Sequence, residues 1–534
     1  MMDSPAPTAK SLAPIAIAIA LVASASPARA QDPTVPDAAA PAPSTETAPS
    51  PASEKPTATA APAPAPAHPA DEAPPGRAAT ASDTTAASNA PPVGGVPGPG
   101  ARAGAEPTET SWYARAPLAL TAGLGDKQWS LTFYGIIEAD YIYDTTRSYD
   151  DRLGADLVAR TDTYDGNHPR SQFSIRNSRL GLKLQAPLQE AVKASAVLEA
   201  DFANPKPEVP SDTPEREYFD NPTFRLRHAY LLLEDDYVDV LAGQTYGIFG
   251  WWFSRSTQFR LSHNFGASTS PVTLGLAVAA VRPAQRDSGV PDGNAALRLN
   301  LNHWQGVITT PAVSGSTVQA SFLQISGIGR QFKANAFAPP PTQASNSATG
   351  WGVSVDALLA VIPANGPNDR GNRLTLTGDF VTGTGIADLI NVNGGAEFPV
   401  LSNPAQANPP PLYEADVDQG LVTFDTRGVL HTIDWREFRV GVQYYLPPSG
   451  RVFITANFIQ GHSANMAKLF PKGGAEIELL GRVADTTYYG DTTLYWDATP
   501  SVRFGLQGAY TKVRYLDGDQ PHNVRGMGLA QYAF

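Results

Sequence analysis

Apolar and polar residues alternate along most of the chain after Gln128. Residues 297–302 are a clear example, because three leucines occupy one face while an arginine and two asparagines occupy the other. A period of two belongs to a β-strand with one apolar and one polar face. The alternation predicts sixteen strands, at 129–144, 171–186, 190–203, 223–234, 236–246, 257–265, 271–283, 294–304, 316–328, 350–362, 371–385, 428–446, 450–462, 484–498, 501–516 and 522–534.

The connections between these strands fall into two length classes. Long connections follow odd-numbered strands, at 145–170, 204–222, 329–349, 386–427 and 463–483. Short connections follow even-numbered strands, at 187–189, 235, 447–450 and 499–500. Only the connections 305–315 and 517–521 depart from this rule. An even strand number with short turns on one rim and long loops on the other predicts an all-β fold, a transmembrane antiparallel barrel. A soluble sandwich would also alternate, but it would not sort its loops in this way.

The two ends of the chain support a membrane location. Tyr532 and Phe534 end the last strand on its apolar face, which is typical of an insertion signal read by the barrel-assembly machinery. We expect this strand to close the barrel against the strand that begins near Trp129. At the other end, Lys10 precedes the apolar stretch 12–22 and an Ala-x-Ala cleavage site, which predicts a signal peptide over 1–30.

Composition divides the exported chain into a spacer and a barrel. Residues 31–110 are rich in Pro and Ala and contain no aromatic residue, so they cannot bury enough apolar surface to fold. We predict a disordered periplasmic spacer over 31–110, with a tether to peptidoglycan as the alternative. Residues 111–128 would lead into the barrel, which occupies 129–534. The predicted location is the outer membrane of a Gram-negative-type bacterium, with outer-membrane lipid around the barrel.

The overall composition excludes several kinds of site. The chain has no cysteine, and therefore no disulfide and no thiolate metal site. A formal net charge of −12 argues against nucleic acid as a partner. No zinc motif, EF-hand spacing or phosphate-binding loop occurs, so neither a metal nor a cofactor is predicted.

The polar faces of the strands predict what lines the lumen. A guanidinium on the lipid face near the bilayer midplane costs roughly 2–4 kcal/mol, so strand arginines should point inward. The predicted basic lumen residues, which would guide an anionic solute, are Arg179, Lys183, Arg225, Arg227, Arg255, Arg260 and Arg298. The predicted acidic residues opposite them are Glu138, Asp140, Glu199 and Asp201. Either the arginines attract anions, or each one pairs with a carboxylate and braces the wall.

The connection after the fifth predicted strand is unusually aromatic. We predict that it folds into the lumen as a constriction, with Gly247 and Gly250 allowing the bend, Trp251 and Trp252 covered, and Arg255 facing the passage. The alternative is an aromatic girdle at the membrane interface, which indole rings favour.

Three segments resemble motifs of the DcaP-like outer-membrane porins. Asn177–Lys183 is similar to their S-R-x-G-x-K segment, Phe224–Tyr230 to F-R-x-R-H-A-Y, and Leu241–Thr245 to L-x-G-Q-T. The resemblance implies a sixteen-stranded homotrimeric channel for small solutes, in a family associated with dicarboxylates and other organic anions. The chain departs from the family in its N-terminal extension, which is the Pro/Ala spacer instead of a coiled-coil-like helix.

The predicted function is passive diffusion of small hydrophilic solutes, with a preference for organic anions. A phosphate-selective porin is the nearest alternative, since phosphate and carboxylate bind the same arginine fork. Of the other classes, a phospholipase or protease of barrel type would need Ser463 and His462, and a tether or adhesin would not conduct. We predict no enzyme activity and no catalytic residue.

Overall fold

The structure is a computed structural model that describes most of the chain after residue 117. The described residues are 118–124, 127–149, 157–188, 192–203, 223–250, 254–267, 269–285, 288–310, 315–335, 345–366, 369–390, 420–425, 429–469 and 483–534. The predicted signal peptide (1–30) and the predicted spacer (31–110) therefore lie outside the described residues.

Almost all regular structure in these residues is β-strand. The strands are β1 (Leu118–Leu124), β2 (Lys127–Asp144), β3 (Arg170–Ser174), β4 (Arg179–Gln185), β5 (Lys193–Asp201), β6 (Arg225–Glu234), β7 (Asp239–Tyr246), β8 (Arg255–Phe265), β9 (Val272–Val281), β10 (Asp292–Thr310), β11 (Gly315–Asn335), β12 (Ser345–Ile362), β13 (Arg373–Thr384), β14 (Val422–Phe424), β15 (Leu430–Thr432), β16 (Asp434–Tyr445), β17 (Val452–Ser463), β18 (Ala484–Asp497), β19 (Val502–Tyr515) and β20 (His522–Ala533). Single helical turns occupy Tyr164–Asn167, Met466–Leu469 and, as a 3-10 turn, Ala387–Leu389. No helix among the described residues has the length and apolarity to cross a bilayer.

The strands close into a barrel. β20 pairs with β2 from Ile136↔Ala533 to Asp144↔Arg525, so the last strand lies beside the first wall strand. β3 and β4 both pair with β2 and form one interrupted wall strand. β1 pairs with β2 outside the closed wall, and β14 with β15 form a separate hairpin. The wall is a closed antiparallel barrel of 16 strands, as the alternation predicted.

Several predictions for strands and segments differ from the structure in their bounds. The strand predicted at 171–186 is interrupted because 175–178 stand opposite only 137–139 of β2, which is a β-bulge. The strand predicted at 428–446 begins only at Asp434, since the residues before it turn back to pair with β14. The lead-in segment contributes β1, which takes the edge of β2 that β20 does not reach.

The two faces of the wall have opposite character. On β10, Leu297 and Leu299 are 46% and 41% exposed outside the barrel, whereas Arg298 and Asn300 are 5% and 4% exposed inside it. Tyr532 likewise lies on the outer face of β20. Alternation therefore assigned these side chains to the correct faces, because the side-chain period of a strand is two.

The two rims differ in their connections. One rim holds the start of β2 and the end of β20, and its turns are brief, as at 235–238 and 446–451; we call it the short-turn rim. The other carries long connections such as 385–433, and we call it the long-loop rim. At the long-loop rim, Ile386 and Leu421 pack with the lumen-facing Trp435 in one buried apolar cluster. Long loops therefore cover part of that mouth.

Candidate functional site

Part of the lumen charge is neutralised by ion pairs across neighbouring strands. Arg225 on β6 donates from Nε and Nη2 to the two carboxylate oxygens of Asp201 on β5, at 2.9 and 2.7 Å. Arg227 donates to Glu199 at 2.6 Å and to Asp201 at 2.8 Å. All four side chains are buried. For these residues the structure therefore has the bracing arrangement: two predicted guiding arginines are bound to two predicted counter-wall carboxylates.

Four other lumen arginines have no such partner. Within the described part of the chain, no carboxylate forms an ion pair with Arg179, Arg255, Arg260 or Arg298. The guanidinium carbon of Arg298 lies 3.4 Å from the centre of the Phe322 ring. The Nε and Nη1 atoms of Arg179 are buried without a hydrogen-bond partner. These four arginines lie on β4, β8 and β10, so their uncompensated positive charge occupies one arc of the wall.

The remaining predicted residues have different surroundings. Lys183 is half-buried on β4 and lies nearer the short-turn rim than Arg179. Glu138 on β2 contacts Gln531, and Asp140 accepts a 2.6 Å hydrogen bond from Asn177. No described arginine lies within ion-pair distance of either carboxylate. Glu138 and Asp140 are thus lumen carboxylates that lack a cationic partner among the described residues.

Sequence reasoning missed further carboxylates on the opposite arc. Asp356 on β12 accepts hydrogen bonds from Ser354 at 2.8 Å and Gln324 at 3.2 Å, and Asp491 on β18 accepts one from Asn457 at 3.2 Å. Their positions on the polar faces of predicted strands were a signal that could have found them. Together with Glu138 and Asp140, they place carboxyl groups without an ion-pair partner among the described residues on the arc from β12 to β2. The unpaired arginines on β4, β8 and β10 and these carboxyl groups on β12, β18 and β2 therefore lie on different strands of the wall.

Further ion pairs brace the wall between β10 and β2. These pairs join Arg330 to Asp292 and Asp388, Arg439 to Asp379, Arg503 to Asp497, and Arg525 to Asp144.

The aromatic connection between β7 and β8 turns into the barrel. Gly250, with φ of 70°, donates its N–H to Ser326 Oγ on β11 at 2.9 Å. Ile248 and Phe249 are both 2% exposed, and Ile248 packs against the lumen faces of β9 and β10. Gly247 closes the base of the loop through its N–H to Ser254 O, at 3.1 Å. The described half of this loop therefore lies against the lumen faces of β9, β10 and β11. Trp251 and Trp252 lie outside the described residues.

Arg255 begins β8 at the base of the same loop. Its guanidinium carbon lies 5.6 Å from the ring centre of Tyr246, and the side chain is half-buried. It is therefore the most accessible of the four uncompensated arginines.

The candidate catalytic pair is not assembled. Ser463 is buried on the lumen side of β17 and accepts from Met466 N at 3.3 Å, whereas the His462 ring lies 3.0 Å from Thr486 Oγ1. Neighbouring residues of a strand point to opposite faces, so this serine and histidine do not meet. His228 forms a 2.9 Å hydrogen bond with Thr245 inside the wall. Among the described residues, no group of three His, Asp or Glu side chains could hold a metal ion.

The C-terminal residue completes the seam of the barrel. The N–H of Phe534 donates to Gly135 O, and the N–H of Gly135 donates to Phe534 O, both at 3.1 Å. The terminal residue thus extends the β2–β20 ladder by one further pair.

Comparisons with known proteins agree with this architecture. Residues 111–359 match the family model of Gram-negative porins. The fold is similar to that of the outer-membrane channel DcaP of Acinetobacter baumannii, with a TM-score of 0.52 and 16% identity over 76% of this chain and 97% of that chain. Lower similarity is found to an anion-selective porin from Comamonas acidovorans, with a TM-score of 0.41 and 10% identity over 76% of this chain and 100% of that chain. A search among curated proteins returned no match. The match over residues 111–359, together with the closed barrel, supports an outer-membrane porin of the Gram-negative type.

Proposed function

We propose that this porin admits small hydrophilic solutes by passive diffusion and prefers organic anions such as dicarboxylates. One observation carries the proposal: Arg179, Arg255, Arg260 and Arg298 form an arc of lumen cations without an ion-pair partner among the described carboxylates. Arginine remains charged at any physiological pH, so this arc keeps its positive charge.

The physical effect of the arc is electrostatic and geometric. A lumen lined by one sign of charge between low-dielectric walls raises the local concentration of counter-ions. A guanidinium also binds a carboxylate through two parallel hydrogen bonds, which favours solutes with carboxylates at both ends. Arg225 and Arg227 do not add to this effect, because Asp201 and Glu199 neutralise them. The resemblance of Phe224–Tyr230 to the DcaP-like motif supports dicarboxylates as the solute class.

The orientation and assembly follow from the same proposal. The short-turn rim, with both the start of the barrel and Phe534, would face the periplasm, so that residues 31–110 lie there as a spacer. The C-terminal strand would be read by the barrel-assembly machinery. The resemblance to DcaP-like porins supports a homotrimer, and the channel would carry no catalytic activity.

Bilayer recording of the full chain tests the proposal. In a KCl gradient, the reversal potential should show chloride preferred over potassium; preference for potassium would refute an anion channel. Succinate and inorganic phosphate would then be added separately to compete with the chloride current. Stronger block by succinate supports the dicarboxylate preference, and stronger block by phosphate favours a phosphate-selective porin.

A further inference from the structure

One hairpin of the barrel leaves the wall at the short-turn rim. The pairing of β10 with β9 ends at Leu301↔Val272, and that of β11 with β12 begins only at Phe322↔Leu358. Between these points residues 305–310 and 315–320 pair with each other, after a register shift that follows Leu301. We call residues 305–310 and 315–320 the inner hairpin. Neither of its strands forms a ladder with a neighbouring wall strand.

The inner hairpin lies inside the barrel. Thr309 donates its N–H to Gln443 Oε1 on β16 at 3.0 Å, and Thr375 Oγ1 on β13 donates to Val307 O at 2.9 Å. Arg503 on β19 reaches Thr309 Oγ1 at 3.4 Å. Gln443, Thr375 and Arg503 all belong to the lumen face of the wall, and β19 stands seven strands away from β10 in the wall order. The hairpin therefore crosses the lumen.

Apolar contacts hold the hairpin on both of its faces. Val307 belongs to a buried cluster with Tyr445, Phe453 and Tyr495. The ring centre of Phe453 lies 4.8 Å from that of Tyr445 and 4.9 Å from that of Tyr495, and the rings are stacked. Ile308 packs in a second cluster, with Phe322 and Leu358 on the near wall.

The burial of Val307 and Ile308 stabilises the inner hairpin in its position inside the barrel. Val307 and Ile308 are both 1% exposed. Removing two aliphatic side chains from water stabilises the hairpin in this position relative to one that has left the lumen wall.

The hairpin makes the lumen asymmetric. On its side of the barrel, lumen residues such as Thr455 and Thr493 are 1% and 0% exposed. On the other side, the lumen residues of the same half are half-buried, as at Tyr134, Lys183 and Val197. We propose that the inner hairpin is a fixed plug that fills the β13–β20 side near the short-turn rim and confines solutes to a route along β4–β6. It would thereby set the size limit of the porin, whichever ion the pore prefers.

Cysteine accessibility tests the proposed route, because the chain contains no native cysteine. Val197→Cys places a thiol on the proposed route, and Thr455→Cys places one behind the hairpin. With an anionic methanethiosulfonate reagent, we expect the thiol of Thr455→Cys to react at least about ten times more slowly than that of Val197→Cys. The reagent can reach Thr455→Cys only when the inner hairpin opens locally. If the two cysteines react at equal rates in the protein that keeps the inner hairpin, the proposal is overturned.

Removing the hairpin tests its role as a plug. Replacing residues 302–320 with Asn-Gly joins the paired residues Leu301 and Ser321 by a two-residue turn. Single-channel conductance should rise, and Thr455→Cys should become as reactive as Val197→Cys; unchanged conductance would refute the plug.

A cross-linked variant keeps the proposal testable if the shortened protein does not fold. An ideal Cβ at Gly306 lies 2.8 Å from Thr375 Oγ1, so Gly306→Cys with Thr375→Cys should form a disulfide. A fixed plug predicts that this bond forms and leaves the conductance unchanged. Failure to form it, or a large fall in conductance on oxidation, would show that the hairpin is not seated in the open pore.

Discussion

Replacing Arg255 with glutamine should weaken the anion preference while leaving the barrel intact. Its guanidinium contacts the Tyr246 ring, and no ion pair to a described carboxylate would be broken. The change therefore removes one positive charge from the passage without leaving a described carboxylate unpaired. This separates an effect on the ion path from an effect on stability.

The expected size of the change follows from Coulomb's law. A unit charge about 6 Å from a passing ion contributes about 0.7 kcal/mol in a medium with the dielectric constant of water. The sign is opposite for chloride and potassium, so their permeability ratio should change by about 1.4 kcal/mol, or about tenfold, without screening. Debye lengths of about 30 Å at 0.01 M and about 10 Å at 0.1 M salt reduce this to about sevenfold and three- to fourfold, respectively.

Reversal potentials at these two salt concentrations provide the measurement. Arg436→Gln is the matched control, since Arg436 lies on the exposed outer face of β16 and its replacement changes the net charge equally. The reasoning fails if both variants shift the reversal potential alike, or if the shift from Arg255→Gln does not grow as salt is lowered. Either result would mean that the local charge of the lumen does not set the selectivity.

Two further predictions concern the stability of the wall. Asp201→Asn leaves the buried guanidiniums of Arg225 and Arg227 without their shared carboxylate, so the free energy of unfolding should fall by about 3–5 kcal/mol; an unchanged urea midpoint of the refolded barrel would contradict this. Gly135→Ala brings a Cβ to 2.4 Å from a carbonyl oxygen of β4, and should lower the stability of the closing seam by about 1–3 kcal/mol. Gly508→Ala is its control, because an added Cβ there meets nothing within 4 Å, and equal loss of folded protein from both variants in heat-modifiability gels would refute the packing argument.

The fold could be predicted from the sequence to the level of strands and faces. Alternation is a local property, and it identified the lumen position of Arg298 between two outward leucines. It cannot give the register between strands, and the register decides that Arg225 stands opposite Asp201. The sequence therefore left two possibilities open: the lumen arginines either attract anionic solutes or form ion pairs with carboxylates of the wall.

The inner hairpin shows a second limit of prediction from alternation. The connection 305–315 was an exception to the parity rule, and its length on a rim of short turns was the visible signal. Nothing local reveals where such a connection goes, since its partners Thr375, Gln443 and Arg503 are distant in sequence. The strand β1 was missed because its pairing also depends on a distant strand. β20 pairs only with residues 136–144 of β2, which leaves residues 127–133 of that strand to pair with β1.

Register also explains how one residue type serves two purposes in this lumen. Arg225 has a carboxylate directly across on β5 and becomes part of the wall. The positions directly across from Arg298 are glycine on β9 and glutamine on β11, and those across from Arg260 are leucine and alanine. No carboxylate stands directly across from either of these arginines, and neither forms an ion pair with a described carboxylate. Arg179 also stands opposite Asp201, but that carboxylate is already bound by Arg225 and Arg227. The role of a lumen arginine thus depends on whether a carboxylate stands opposite it and on whether another arginine already binds that carboxylate.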